Sequence, residues 1–261
     1  MSVSATLRSH WPEYLIEGWA LGTFMLSACL FATLFDYPNS SVHRLLADSD
    51  LRRVLTGIAM GLTAIAIIYS PFGKRSGAHM NPAVTLTFLR LGKVARWDAA
   101  FYVLAQFVGG TLGVLGAWAL LGDALAAPPV QFATTHPGER GESVAFAAEF
   151  GISMGMMLMI LIVSNHSRLA RYTGLFAGAL VAIYISLEGP LSGMSMNPAR
   201  SFASAAPAGG SAALWIYFIA PLAGMWCASL AYCALRGRSK IKCAKLLHSS
   251  DVRCIHCGYE P

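Results

Sequence analysis

Two copies of the tripeptide Asn-Pro-Ala, Asn81-Pro82-Ala83 and Asn197-Pro198-Ala199, constrain the fold of this chain more than any other feature. Each copy follows an apolar stretch and a Ser-Gly pair, within Ser76-Gly77-Ala78-His79-Met80 and Ser192-Gly193-Met194-Ser195-Met196. Asparagine is a good helix N-cap, proline suits the first helical position, and alanine favours continuation. Each copy therefore predicts a helix that begins sharply after a tight glycine bend.

The composition indicates a membrane protein. Only 12% of the residues are charged, 56% are hydrophobic, and the mean hydropathy is +0.55, whereas a soluble domain carries about 25% charged residues. We predict an all-α membrane protein with six spans of about 20 residues each. Spans one to six are expected near residues 14–35, 51–70, 98–122, 143–165, 172–189 and 213–235. The first run resembles a signal peptide, but Glu17 inside it favours a retained span.

The basic residues predict the orientation of the chain. With six spans, Arg8, Lys74, Arg168 and the basic tail fall on one side of the membrane, and most acidic residues fall on the other. The positive-inside rule then places both termini in the cytoplasm, in a plasma membrane or bacterial inner membrane. This distribution accounts for the net charge of +6 without a nucleic-acid partner.

The two halves of the chain repeat one another. Glu17 in span one recurs as Glu149 in span four, and the pair Gly57-x3-Gly61 in span two recurs as Gly174-x3-Gly178 in span five. Small residues at this spacing let helix backbones approach closely in lipid. Because each half has three spans, the second half enters the membrane with inverted topology. Inverted repeats of this kind form their functional site at the midplane from discontinuous helices.

The repeat predicts the organisation of the whole chain. We expect a first inverted repeat at 1–125 with a half-helix at 81–91, a connecting loop at 126–142, a second repeat at 143–235 with a half-helix at 197–207, and a basic, cysteine-containing tail at 236–261. A half-helix of about 11 residues crosses roughly half of a 30 Å hydrocarbon core. Non-helical backbone at that depth is tolerated only if it is buried in protein or lines a water-filled path. This arrangement predicts a pore.

With these motifs in place, the chain resembles the aquaporin, or major intrinsic protein, family over about residues 11–235. The resemblance rests on both Asn-Pro-Ala segments, on Gln106 in span three, and on the acids Glu17 and Glu149. It implies six transmembrane helices with two re-entrant half-helices, one pore in each subunit of a homotetramer, and no enzymatic activity. The partners it implies are water, small neutral solutes and membrane lipid.

The resemblance and elementary electrostatics assign roles near the midplane. Each half-helix N-terminus presents roughly half a positive charge, which opposes protons and cations. The amides of Asn81 and Asn197 would donate hydrogen bonds to a passing water molecule and reorient it. This reorientation would interrupt the single file of hydrogen-bonded waters along which protons could move. In the family, Glu17 and Glu149 accept hydrogen bonds from the re-entrant backbones. Backbone carbonyls that lead to the centre of the pore are expected to accept hydrogen bonds from the solute. They belong to Gly77, Ala78, His79, Gly193, Met194 and Ser195, and His79 is also expected at the pore wall.

The selectivity ring, defined as the narrowest point of the pore, is assigned by alignment to the family as Met60, Ile185, Met194 and Arg200. If the span-two position slips by one residue, Gly61 replaces Met60. An intramembrane arginine is costly and usually functional, and Arg200 would donate hydrogen bonds to solutes and repel cations. Water-specific members carry an aromatic residue on span two and a histidine on span five. This ring is therefore more apolar, although flexible methionines can fill the gap.

Other positions give mixed indications of the solute. Ser201, Ala205 and Tyr217-Phe218 resemble the water-conducting members, whereas Ile185 and the lead-in Gly189-Pro190-Leu191 resemble plant nodulin-like members, which pass glycerol and metalloid acids. We expect a passive channel that conducts water and excludes protons and ions. The alternative is a wider channel for glycerol or other small neutral solutes. A coupled secondary transporter is the alternative from another class, and it would need titratable groups in its path.

The tail contains four possible metal ligands, Cys243, His248, Cys254 and Cys257. The order C-x4-H-x5-C-x2-C offers enough ligands for tetrahedral zinc, although only the Cys254-x2-Cys257 pair has ordinary ligand spacing. The alternative is a reduced tail whose lysines and arginines attract anionic lipid. Zinc in the tail is therefore a possible cofactor, and the rest of the sequence indicates no other cofactor.

Overall fold

The computed structural model describes residues 2–260. Within them, six helices are long and apolar enough to cross a membrane. Spans one to six are Val3–Asp36, Ser49–Tyr69, Arg96–Leu121, Glu142–Ser164, Ala170–Leu187 and Leu214–Arg236. Span five begins with the 3-10 turn Ala170–Tyr172 and is α-helical over Thr173–Leu187. The connections contain short helices at Ser41–Leu45, Pro71–Ser76, Asp123–Ala126 and Gly189–Ser192, and 3-10 turns at Gln131–Ala133 and Arg238–Lys240. The predicted all-α membrane fold is confirmed.

Two further helices begin at the repeated motifs. Half-helix one is Pro82–Arg90 and half-helix two is Pro198–Ala205, each slightly shorter than expected. The Asn81 side-chain oxygen accepts the Ala83 N–H at 2.8 Å, and the Asn197 oxygen caps the second half-helix in the same way. The local sequence therefore forms the two sharp helix starts that it predicts.

Span one begins at Val3, well before the predicted start near residue 14. Its first turns are polar and therefore lie outside the apolar run that indicates a span. They are held against span three by Asp98, which accepts a hydrogen bond from Tyr14 at 2.6 Å and lies 2.8 Å from the ring nitrogen of His10. The helix thus extends past the membrane-spanning part towards the C-terminal tail.

Spans two and five meet through the repeated glycines. A Cβ atom built on Gly61 would lie 2.5 Å from the Gly178 carbonyl oxygen, and one on Gly57 would lie 2.6 Å from the Ala182 oxygen. No side chain fits at such distances. Gly61 of the first small-residue pair therefore faces Gly178 of the second, and spans two and five pack closely at this interface.

Replacing Gly61 with leucine is expected to push these two spans apart. Overpacking of a close helix contact costs about 1–3 kcal/mol or more, so we expect a fall in the thermal midpoint of about 5 °C, measured by tryptophan fluorescence in detergent. Gly116→Leu in span three is the matched control, because no atom lies within 4 Å of its Cβ position. Equal midpoints for the two variants would contradict the packing described here.

Candidate functional site

The two re-entrant loops share an unusual backbone. Left-handed φ angles recur at matching positions, at Gly77 (103°), Ala78 (53°), Met80 (50°), Gly193 (78°), Met194 (51°) and Met196 (57°). The glycines adopt this conformation freely, but each non-glycine residue held there costs about 1–3 kcal/mol. Such strain persists only where the surroundings fix the backbone, so each loop needs strong partners.

Glu17 is the partner of the first loop. Its Oε1 accepts hydrogen bonds from the Ser76 hydroxyl at 2.8 Å and the His79 N–H at 3.0 Å. Its Oε2 accepts the Met80 N–H at 2.8 Å and the Gln106 amide at 2.9 Å. The carboxylate is fully buried. It thereby holds the strained backbone through charge-assisted hydrogen bonds, which are about twice as strong as neutral ones.

Glu149 holds the second loop with the same geometry. Its Oε1 accepts the Ser192 hydroxyl at 2.8 Å and the Ser195 N–H at 2.7 Å. Its Oε2 accepts the Met196 N–H at 2.7 Å. The two halves of the chain thus repeat one another in chemistry as well as in sequence, with one buried acid holding each re-entrant loop.

The N-termini of the half-helices meet at the centre of the bundle. The Asn81 side-chain amide donates to the Met196 carbonyl at 2.6 Å, and the Asn197 amide donates to the Met80 carbonyl at 2.7 Å. Each amide carries two N–H groups and uses one of them in this cross-link. The second N–H of each asparagine is a donor for a molecule in the adjoining cavity.

A cavity of about 310 Å³ passes this junction. At one end, called here the far mouth, it is lined by Asp36, Thr56 and Thr134; at the other end, called the terminal mouth, it reaches Leu246 of the tail. Between them the wall contains the residues predicted for the pore, namely Met60, Ala78, His79, Asn81, Ile185, Gly193, Met194, Ser195, Asn197 and Arg200. The cavity therefore brings the assigned ring and both asparagines into one path.

Of the two candidates for the ring position on span two, Met60 lines the cavity, and its sulfur lies 3.8 Å from the Ser27 hydroxyl. Gly61, the alternative, packs against span five instead. Three members of the predicted ring, Met60, Ile185 and Met194, are thus apolar and line the cavity.

Arg200 is held by a segment that the sequence did not single out. Its guanidinium donates to the Ala133 carbonyl at 2.8 Å. Ala133 ends a run of three left-handed residues in the connecting loop, anchored by buried Phe132 against Trp118. A backbone carbonyl leaves no side-chain signature in a sequence, so only the fold shows that this loop dips in to position the arginine.

The tail binds Gly77, whose carbonyl accepts the Leu246 N–H at 3.1 Å. With the tail in this position the Gly77 carbonyl is not free for a solute, and its role as a pore carbonyl stays a prediction. His79 lines the cavity, and its ring is bonded on both nitrogens: Nδ1 lies 3.0 Å from the Thr85 hydroxyl and Nε2 lies 2.9 Å from the Ala244 carbonyl.

The four predicted metal ligands of the tail come together. The donor atoms of Cys243, His248, Cys254 and Cys257 all lie within 4.8 Å of one another. The hydrogen bond from the Cys243 thiol is the main cause that lowers the pKa of Cys254, to about 4, against the effect of burial, which raises it. The same contact raises the pKa of Cys243.

Comparison with known proteins agrees with this architecture. The profile of the family "Major intrinsic protein" matches residues 13–232. "Aquaporin NIP1-2" of Oryza sativa subsp. japonica is 35% identical over 184 residues, which cover 69% of this chain and 60% of the rice protein. "Glycerol uptake facilitator protein-like 6" of Lactiplantibacillus plantarum is 34% identical over 225 residues, which cover 85% of this chain and 96% of the bacterial protein.

The fold is also similar to a solved structure. The X-ray structure of the aquaglyceroporin from Plasmodium falciparum superposes with a TM-score of 0.70 at 20% identity, covering 85% of this chain and 95% of that one. At this identity the likeness concerns the fold alone. The family profile and the bacterial relative, together with the paired asparagines and acids, show that the chain belongs to the major intrinsic protein family.

Proposed function

We propose that this protein is a passive channel that conducts water and excludes protons and ions. Members of the family are channels for small neutral solutes and not enzymes. The observation that carries the proposal is the cavity that passes between Asn81 and Asn197, where the two half-helix N-termini meet. Each asparagine keeps an amide N–H for a water oxygen, and carbonyls of the re-entrant loops supply acceptors on either side.

Ion exclusion follows from charge. Each half-helix contributes roughly half a positive charge at its N-terminus, and both point at the same part of the path. Arg200 adds a full positive charge at the ring, held in place by the Ala133 carbonyl. A cation would meet all three fields after losing its hydration shell, whereas a neutral water loses little.

The second candidate solute is glycerol or a similar small polyol. The observation in its favour is the ring, in which Met60, Ile185 and Met194 give three apolar sides and Arg200 gives the polar one. A polyol has a carbon face and a hydroxyl face that fit such a ring. The name of the bacterial relative, a glycerol uptake facilitator-like protein, points the same way. The coupled-transporter alternative has less support, because Glu17 and Glu149 already bind the loop backbones.

The remaining expectations concern the assembly. We infer that the chain forms a homotetramer with one pore per subunit and that both termini lie in the cytoplasm. Large apolar side chains on the outer faces, among them Leu62 and Leu104, suit contact with lipid or neighbouring subunits. The basic residues at the terminal side support the orientation.

A bulky substitution in the ring tests the proposed path. Ile185→Trp is expected to lower osmotic water flow about tenfold in stopped-flow light scattering on proteoliposomes, because the indole fills the narrowest part of the cavity. Ile183→Trp is the matched control, because Ile183 is 47% exposed on the outer face of the same span. Equal water flow in both variants would mean that solutes do not pass through this ring.

A further inference from the structure

The tail folds back over the terminal side of the bundle and is fixed there at several points. Arg253 binds Glu13 of span one through two hydrogen bonds, at 3.1 and 3.0 Å. The Lys242 N–H donates to the Asn165 side chain at 2.7 Å, and Arg238 donates to the Leu91 carbonyl at 3.0 Å. The tail is therefore attached to both halves of the repeat.

The middle of the tail sits in the terminal mouth. Leu246 lines the central cavity, is 5% exposed, and belongs to the same buried apolar cluster as Ala78 and Ile160. The Leu246 N–H donates a hydrogen bond to the Gly77 carbonyl, and the Ala244 carbonyl lies 2.9 Å from His79 Nε2. An apolar side chain with no hydrogen-bonding group stands where a solute leaving the pore would need acceptors. The tail thus forms the wall at this end of the path.

The metal-ligand cluster joins two segments of the tail around this plug. Cys243 and His248 flank residues 244–247, while Cys254 and Cys257 flank His256. The His256 ring stacks on the His79 ring with centroids 5.5 Å apart, and its Nε2 lies 3.3 Å from the Ser76 carbonyl. Each segment of the cluster therefore touches the first re-entrant loop, and a bond between the segments would hold both against it.

The geometry of the cluster suits zinc. Zn–S distances of about 2.3 Å and Zn–N distances of about 2.0 Å place the ligand atoms of a tetrahedral site about 3.5–3.8 Å apart. The sulfur atoms of Cys243 and Cys254 are 3.4 Å apart, and His248 Nε2 is 3.3 Å from the Cys257 sulfur. The sulfur separation is far beyond the roughly 2.05 Å of a disulfide.

The second pair of ligands lies in a tight turn. Gly258, with a φ of 73°, allows the chain to turn so that its N–H reaches the Cys254 carbonyl at 2.9 Å. Three thiols and one imidazole form a donor set that favours zinc over hard cations.

We propose that Cys243, His248, Cys254 and Cys257 bind one zinc ion, and that this zinc holds Leu246 in the terminal mouth as a releasable plug. The metal site stands on the tail geometry alone. The gating role rests on the proposed channel function. Loss of zinc frees the two tail segments from one another, so that the contacts of Leu246 with the pore wall are no longer held and the mouth opens.

The metal site is tested by elemental analysis of the full-length protein purified under reducing conditions. We expect one zinc per chain in the wild type and in Cys227→Ser, whose cysteine is exposed on span six, and none in the double variant Cys254→Ser/Cys257→Ser. Cobalt added to chelator-stripped protein should give the absorption of tetrahedral thiolate ligation only when the four ligands are present. Equal zinc in the wild type and the double variant, or a Cys243–Cys254 disulfide in its place, would overturn the site.

The plug is tested by water flow in proteoliposomes that carry zinc-loaded or chelator-stripped wild type, with zinc chloride added back. We expect flow about tenfold higher without zinc, reversed by zinc, because release of a packed leucine shifts the closed-to-open ratio by about that factor. Leu246→Ala should retain one zinc yet conduct rapidly with or without it, whereas Leu235→Ala, at a residue 83% exposed, should behave as wild type. Unchanged flow on zinc removal or in Leu246→Ala would overturn the plug. Absence of flow in every form would overturn the channel proposal and the plug together, while the zinc count would still decide the metal site.

Discussion

Replacement of Arg200 with valine is expected to raise glycerol permeability about tenfold and to allow proton or cation leak through the pore. The substitution removes the one charged member of the proposed ring and about four heavy atoms of bulk, so that the ring becomes wider and uncharged. It also releases the Ala133 carbonyl, which Arg200 binds at 2.8 Å. Glycerol uptake and dissipation of a proton gradient in proteoliposomes measure the two effects separately.

Two further variants serve as comparisons for Arg200→Val. Arg200→Lys keeps the charge but loses the planar fork of donors, so ion exclusion should persist while the solute profile changes. Arg140→Val removes an exposed arginine of the connecting loop and should leave both properties as in the wild type. An unchanged solute and ion profile in Arg200→Val would place the selectivity ring elsewhere.

Replacement of Glu149 with glutamine should destabilise the protein and abolish most water flow. The carboxylate accepts the Ser195 and Met196 N–H groups, whereas the glutamine NH2 presents donors to one of them. Leaving a buried donor unpaired costs about 1–3 kcal/mol. The strained left-handed residues of that loop then lose the partner that holds them. We expect a thermal midpoint about 5 °C lower or more.

The control for this effect is Glu142→Gln, at an exposed position in the first turn of the same span. It changes the charge identically but touches no re-entrant backbone, so its midpoint and water flow should match the wild type. Glu17→Gln should reproduce the Glu149 effect, because Glu17 holds the first loop in the same way. A stable, fully conducting Glu149→Gln protein would show that the loops do not depend on these carboxylates.

Much of the fold and of the site could be predicted because the signals are local. Asn-Pro-Ala carries its own helix start, since the asparagine caps and the proline sits at the first position whatever lies around them. The buried acids stood out because Glu17 and Glu149 interrupt apolar runs, where a charge requires a partner. The small-residue repeats likewise indicated a close interface, although not that Gly61 would face Gly178.

The features that the sequence did not reveal depend on distant contacts. The Ala133 carbonyl that positions Arg200 has no side-chain signature, and its loop enters the cavity only through a run of left-handed residues. The tail shows the same limit. Its cysteine spacing predicted possible ligands, but the insertion of Leu246 beside Gly77 is a contact between segments far apart in the chain. That contact also binds the Gly77 carbonyl for as long as the tail stays in place.

The most direct test of the central claim is to measure water, glycerol and proton fluxes by stopped flow in one preparation of proteoliposomes carrying zinc-stripped wild type. A water-conducting pore predicts water flow well above that of protein-free vesicles, with no added proton flux and slow glycerol entry. Rapid glycerol entry would assign the polyol alternative to the ring of Met60, Ile185 and Met194. Water flow equal to that of protein-free vesicles, in both this protein and Leu246→Ala, would contradict the account.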